Sequence, residues 1–267
     1  MAIITISRGS YSKGKEIAER VAEKLGYECV SRDILLEASE HFHIPEIMLV
    51  RALHDAPSIL DRFSFGKERY VTFIEEAFLE HVQKDNIVYH GLAGHFFLKG
   101  VSHNLKVRIL ADIDDRINVE MERENITEEK ARNILKKDDY ERRRWSMALY
   151  GIDTTDPRLY DMCIHIHKIT VGDAVDIICH TVKLPHFATT EESKRMMDDL
   201  VLASKVKVAI INEWPGAKVK SRAGAIYVHT EAPLEQEILI QDKIAKIAKR
   251  VPGVKEVYVS VTPSGFE

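Results

Sequence analysis

Two short stretches hold residue types and spacings suited to phosphate chemistry. The first is Gly9-Ser10-Tyr11-Ser12-Lys13-Gly14-Lys15-Glu16, directly after the apolar run MAIITIS. It has the spacing G-x-x-x-x-G-K, in which a glycine-containing turn opens a helix. Backbone N–H groups at a helix N-terminus are unpaired and carry partial positive charge, so such a loop cradles anions. Lys15 reaches toward terminal phosphates, and Lys13 adds a second charge. Glu16 stands where a Ser or Thr hydroxyl ordinarily ligates magnesium.

The second stretch is TEEKARNILKKDDYERRRW, with Asp139, Arg142, Arg143 and Arg144 close together. Arginine forks bind phosphate oxygens in pairs and stay charged where water is excluded. Read alone, such a run is most often a solvated helix face. His165 and His167 share one face of a strand, but no third ligand is fixed nearby, so the sequence predicts no protein-held metal centre. His90 and His95 bracket a glycine-containing turn after the third expected strand, where parallel sheets bind ligands. Cys163 falls in a strand expected to be buried, and packing is the expectation for it. The Arg142–Arg144 cluster is too short to predict nucleic-acid binding.

The elements that must position these residues alternate. Strands are expected at Ala2–Ser7, Tyr27–Val30, Asn86–Tyr89, Leu105–Ala111 and Asp161–Ile166. Between them helices are expected from Gly14 to Leu25, at Ile34–His41 and Ile44–Leu53, over Glu68–Lys84, around Asp115–Glu124, from Thr127 toward Tyr150, and at Val171–Val182. This alternation predicts an α/β fold, a parallel sheet with helices on both faces. After Pro185 the rhythm changes. Thr189 and Glu192 suggest a capping box, with a helix over Ser193–Ala203. Strands at Val206–Ile211 and Ala225–Thr230, a helix over Pro233–Arg250 and a strand at Val254–Val261 then predict a small second α/β unit. The expected domains are 1–188 and 189–267.

Hydrophobic residues make up 45% of the 267-residue chain and charged residues 30%, an ordinary globular balance. A net charge of -4 gives no global pull toward nucleic acid or anionic lipid. Three widely spaced cysteines predict no disulfide framework and a reducing, cytoplasmic setting. No apolar stretch approaches the length of a membrane span, and the opening run, broken by Arg8, reads as a strand and not a signal peptide.

Residues 1–183 resemble the cytidylate kinase-like family of P-loop nucleoside monophosphate kinases. The resemblance rests on IITISR, the loop GSYSKG followed by Lys15-Glu16-Ile17-Ala18, the Asp139/Arg142 pair, and YGIDTTDPRLYDMCIHIHKI. It implies ATP and Mg2+ as cofactors and a nucleoside monophosphate acceptor, with CMP or dCMP first. In that reading Gly9 to Glu16 hold the donor phosphates, Lys15, Arg142 and Arg144 serve the transferred group, and Arg32, Asp33 and Asp139 contact the acceptor or shape the lid. The family's loop often carries Glu at the position of Glu16. Two departures bear on the acceptor: Leu92 replaces an expected arginine, and His165-Ile166-His167 replaces Asn-Thr-Ser. They leave open a second reading, a nucleotide-binding sensor without kinase activity. A kinase acting on another small acceptor is a third.

The tail is similar to a BON domain, carried by GAIYVHTEA and VPGVKEVYVSV. That resemblance implies a protein or small-ligand partner and no chemistry of its own.

Overall fold

The computed structural model describes residues 1–9, 12–31, 66–91 and 94–263. Strands β1 (Ile3–Arg8), β2 (Glu28–Val30), β3 (Ile87–His90), β4 (Asn104–Ala111) and β5 (Met162–Ile166) form a parallel sheet in the order β2-β3-β1-β4-β5. The central strand explains why its sequence lacks a polar face. Ile3, Ile4 and Ile6 are almost fully buried, because a parallel strand is covered on both sides.

One side is covered by α1 (Gly14–Leu25) and α6 (Val171–Thr181). Ile17, Val21 and Ala22 of α1 and Val175 and Ile178 of α6 meet Ile4, Ile6, Val88 and Val107. On the other side lie α2 (Gly66–Val82) and the single turn α3 (Gly94–Phe97), with Phe78, Leu79, Val82 and Phe97 against Ile3 and Ile87. Helices α4 (Ile113–Glu124) and α5 (Glu128–Tyr150) pair through Ile117, Ala131 and Leu135 beyond the C-terminal end of β4. Thr127 caps α5 by accepting from the Lys130 N–H, as its position in the sequence predicts. The expected helices at Ile34–His41 and Ile44–Leu53 lie outside the described residues.

The chain beyond residue 189 forms α7 (Glu191–Ile210), β6 (Lys218–Arg222), β7 (Ala225–Ala232), α8 (Glu237–Ala248) and β8 (Glu256–Pro263). Its sheet runs β6-β7-β8, with β6 antiparallel and β8 parallel to β7. Two local expectations are corrected. Val206–Ile211 is not a strand, because Val206 and Ile210 fall on one helical face and are buried there, so α7 continues through them. The strand lies instead at Lys218–Arg222. The cap is Thr190 and not Thr189: its hydroxyl accepts from the Ser193 N–H, and the Ser193 hydroxyl accepts from the Thr190 N–H. Thr189 donates to the Met1 carbonyl at 2.6 Å and lies 2.9 Å from an Asp85 carboxylate oxygen.

Helix α7 belongs to two cores. Met197 and Val201 pack with Phe78 and Ile3 against the five-stranded sheet, whereas Val206 and Ile210 pack with Ile226, Val228 and Ile244 against the three-stranded one. Among the described residues no helix is long and apolar enough to cross a membrane.

Candidate functional site

The loop after β1 turns into α1 at the C-terminal edge of the sheet, where α/β folds of this kind bind ligands. Ser12 is buried and its hydroxyl donates to the Gly9 carbonyl at 3.0 Å, folding the loop back on itself. Lys13 precedes the helix in a left-handed conformation, φ 64. Gly14 has to be a glycine for lack of space: a Cβ there would sit 2.7 Å from Cβ of Arg8 and 2.8 Å from its Cδ. Ser10 and Tyr11 lie outside the described residues.

A cavity of about 330 Å³ opens beside this loop, bounded by Ser7, Arg8, Gly9 and Ser12, the end of β4, and the inner faces of α4 and α5. Arg8, Arg108, Arg116, Arg142 and Arg143 all contribute to its wall, and Asp139 is the carboxylate among the described lining residues. Asp139 is held by Arg116, whose two terminal nitrogens each donate to one of its oxygens at 2.9 Å. The pair rests on the loop: a Cβ on Gly9 would lie 3.7 Å from the Arg116 guanidinium carbon and 3.8 Å from Asp139.

The other wall is fixed from below. Tyr160 donates to the Thr154 carbonyl at 3.0 Å, accepts from Arg108 at 3.2 Å and lies 3.2 Å from the Ser7 hydroxyl. Arg108 also lies over its ring, 5.4 Å from the centroid. Burial raises the Tyr160 phenol above its ordinary range, with the Ser7 and Arg108 contacts acting against that shift, so it stays a neutral donor. Behind it His95 packs 5.0 Å from the Tyr160 ring, and burial, with Lys106 and Arg108 nearby, pushes its imidazole down to about 4. Arg143 donates to Asp153 at 2.6 Å, tying α5 to the turn that carries Thr154 and Thr155. Hydrogen bonds from Thr155, with Arg143 adding to them, hold the Asp153 carboxyl below its usual range.

The profile of the Cytidylate kinase-like family matches residues 3–168, from β1 through the end of β5. The chain belongs to that family. A protein named cytidylate kinase from Staphylothermus marinus is 28% identical over 182 residues, covering 67% of this chain and 94% of that one. The crystal structure of an uncharacterized protein from Eubacterium ventriosum superposes with a TM-score of 0.53 at 24% identity, over 69% of this chain and 99% of that one, and shares the fold.

The structure sorts the residues of this cytidylate kinase-like chain that the sequence singles out. Gly9, Ser12, Asp139 and Arg142 line the cavity. Lys15 and Glu16 do not; on the outer face of α1, Lys15 lies 3.6 Å from Glu19, and Glu16 lies 3.6 Å from Arg20. Arg144 is also elsewhere, 3.9 Å from Glu141 and over the Tyr140 ring. Helical geometry explains this: residues 139, 142 and 143 share a face at spacings of three and four, and residue 144 turns away from 142. Arg32, Asp33 and Leu92 lie outside the described residues.

Arg8, Arg108 and Arg116 are wall residues, and Tyr160 props Arg108 from behind the wall; sequence reasoning passed over all four. The one available signal was Arg116 near the start of a helix that directly follows a central strand. Cys163 is a correction. It is exposed, because β5 is the edge of the sheet and strand alternation turns Cys163 outward with His165.

Proposed function

We propose that the chain is an ATP-dependent nucleoside monophosphate kinase of the cytoplasm, with CMP or dCMP as acceptor. The observation that carries this reading is the arginine-walled cavity on the glycine loop, in a chain of this family. The donor set suits a polyphosphate: five guanidinium groups face one carboxylate, and that carboxylate is already claimed by Arg116. The loop fits as well, because Gly14 lets the chain pass hard against Arg8 where a side chain would not.

Phosphoryl transfer asks a protein for positioning and charge neutralisation more than for covalent chemistry. In this reading the backbone from Gly9 to Gly14 and the first turn of α1 hold the donor phosphates. Arg142 and Arg143 neutralise charge on the transferred group from α5, and Arg116 with Asp139 fixes the distance between α5 and the loop. Lys15 would leave an exposed pair with Glu19 to join them, at a cost of about 0.5 kcal/mol or less. Arg32 and Asp33 are proposed for the acceptor side. Mg2+, when bound, neutralises charge between the donor phosphates. Because the lining carboxylate is engaged and Glu16 pairs with Arg20, its ligands would come mainly from nucleotide and water.

A coupled assay of ADP release across the nucleoside monophosphates, with Lys15→Ala as the control, tests the reading. Turnover above that control, greatest with CMP or dCMP, is expected. ATP binding without turnover on any acceptor would favour the second reading, a nucleotide sensor. The placement of the Lys15 ammonium beside Glu19 is the observation on that side. In either case residues 189–267 are proposed as a BON-like domain that engages a protein or small ligand, with no nucleic-acid partner.

A further inference from the structure

At the far rim of the cavity β4 ends at Ala111, and Asp112 occupies the N-cap position of α4. An aspartate there ordinarily accepts from the free N–H groups of the first turn. Asp112 makes no such bond. Its carboxylate turns toward two histidines from another element: one oxygen lies 3.1 Å from Nε2 of His165, and the other 3.6 Å from Nδ1 of His167. Asp115, one turn along α4, brings an oxygen to 3.5 Å from the same nitrogen. The two imidazole rings lie nearly parallel, 18° apart. Ligand atoms of Asp112, Asp115 and His167 all fall within 4.8 Å of one another.

The spacings at His167 fit an ion shared between ligand atoms. Hydrogen bonds alone would draw the His167 nitrogen to about 2.7–3.2 Å from a single acceptor. Instead it stands off from two carboxylates by 3.5 and 3.6 Å. Metal–ligand bonds of about 2.0–2.1 Å in a tetrahedron put neighbouring ligand atoms about 3.3–3.4 Å apart. The two separations at His167, 3.5 and 3.6 Å, lie near that edge length, whereas the 3.1 Å contact of His165 with the other Asp112 oxygen is an ordinary hydrogen-bond distance. An imidazole with two carboxylates suits Zn2+ or Co2+, whereas Mg2+ takes oxygen ligands and keeps its waters. All four side chains are about half exposed, so an ion enters directly from solvent.

We propose that Asp112, Asp115 and His167 bind a divalent transition-metal ion of the Zn2+ class, with His165 holding Asp112 through its other oxygen, so that the site joins the start of α4 to the end of the edge strand β5. The site is separate from the proposed transfer reaction and does not depend on it.

The test uses the full chain without nucleotide. Titration with Co2+, followed by its visible absorption, and with Zn2+ by calorimetry in excess Mg2+, should show one ion bound per chain. His167→Ala and Asp112→Asn should each weaken binding at least about tenfold, His165→Ala should weaken it less, and the His165→Ala/His167→Ala double variant should abolish it. Cys163→Ser should leave it intact, since the exposed thiol lies two residues from His165 on the same strand. Zn2+ should raise the thermal midpoint of the wild type and not of the double variant, whose circular dichroism confirms folding. No binding by the wild type, binding that survives in the double variant, or binding lost with Cys163→Ser would each overturn the proposal.

Discussion

Arg116 grips both oxygens of Asp139 at 2.9 Å, and this pair is the bridge between α5 and the glycine loop. The Arg116 side chain is 10% exposed, and that carboxylate offsets its buried charge. Asp139→Asn should therefore lower kcat by about tenfold to a hundredfold, by letting α5 drift relative to the donor phosphates. Arg116→Lys should do the same, because an ammonium cannot reproduce the two-pronged contact. Steady-state kinetics with the preferred acceptor check both. An unchanged kcat in either variant would remove the pair from the mechanism.

Two glycines flank α1 and predict different losses. Gly14→Ala places a methyl group against the stem of Arg8 and should both weaken ATP binding by about tenfold or more and cost about 1–3 kcal/mol of stability. Gly26 has a left-handed backbone, φ 68, and nothing lies within 4 Å of the place a methyl group would take there. Gly26→Ala should cost about 1 kcal/mol of stability through backbone strain and leave ATP binding alone. Nucleotide titration and urea unfolding of the two variants separate site from scaffold.

The inner strands of the large sheet were legible because parallel strands buried on both faces read as short β-branched runs, as in Ile3-Ile4-Thr5-Ile6. Strand β6 was not, since Lys-Val-Lys-Ser-Arg offers one apolar residue on an edge that needs no more. Its basic residues also discourage pairing with another chain. The run Val206–Ile211 misled because Val206, Val208 and Ile210 fit period two as well as a buried helix. Cys163 misled because sequence does not say which strand lies at the edge. The loop and the Asp139/Arg142 pair were visible as motifs. Arg108 and Arg116 come from separate elements and converge at the cavity only through the fold, as does Tyr160 behind Arg108.

Glu75 on α2 and Lys207 on α7 give a pH signature to the contact between those helices. Burial pushes the Glu75 carboxyl from 4.5 up to about 7, with Lys207 partly offsetting it. Burial also pushes the Lys207 amine from 10.5 down to about 8, although it donates to the carbonyls of Pro215 and Ala217. Between pH 4.5 and about 7 the folded chain holds the Glu75 proton that the unfolded chain has released, so this group's contribution to stability falls as pH rises. Above about 8 the folded chain gives up the Lys207 proton first, and stability recovers toward 10.5. Glu75→Gln should flatten the fall and raise the urea midpoint at pH 7. Midpoints measured from pH 5 to pH 9 check it.

The double allegiance of α7 predicts that cutting the chain at the expected domain boundary damages the first domain. Met197 is 3% exposed and Val201 5%, both against Phe78 on α2. Each fully buried side chain of this size contributes about 1.5–3 kcal/mol relative to exposure. A chain ending at residue 188 loses both, together with the Gln83–Asp198 hydrogen bond of 2.6 Å and the Lys205–Glu80 ion pair of 2.8 Å. It also loses Thr189, which ties Met1 to Asp85. A chain ending after residue 205 keeps all of these contacts. The longer chain should therefore unfold at a urea midpoint close to that of the first transition of the full protein. The shorter one should unfold earlier or aggregate, and Val201→Ala in the full chain should reproduce part of the loss, about 1–3 kcal/mol. Equal midpoints for the two truncated chains, with no effect of Val201→Ala, would mean that the first half of α7 lies on the large sheet without stabilising it.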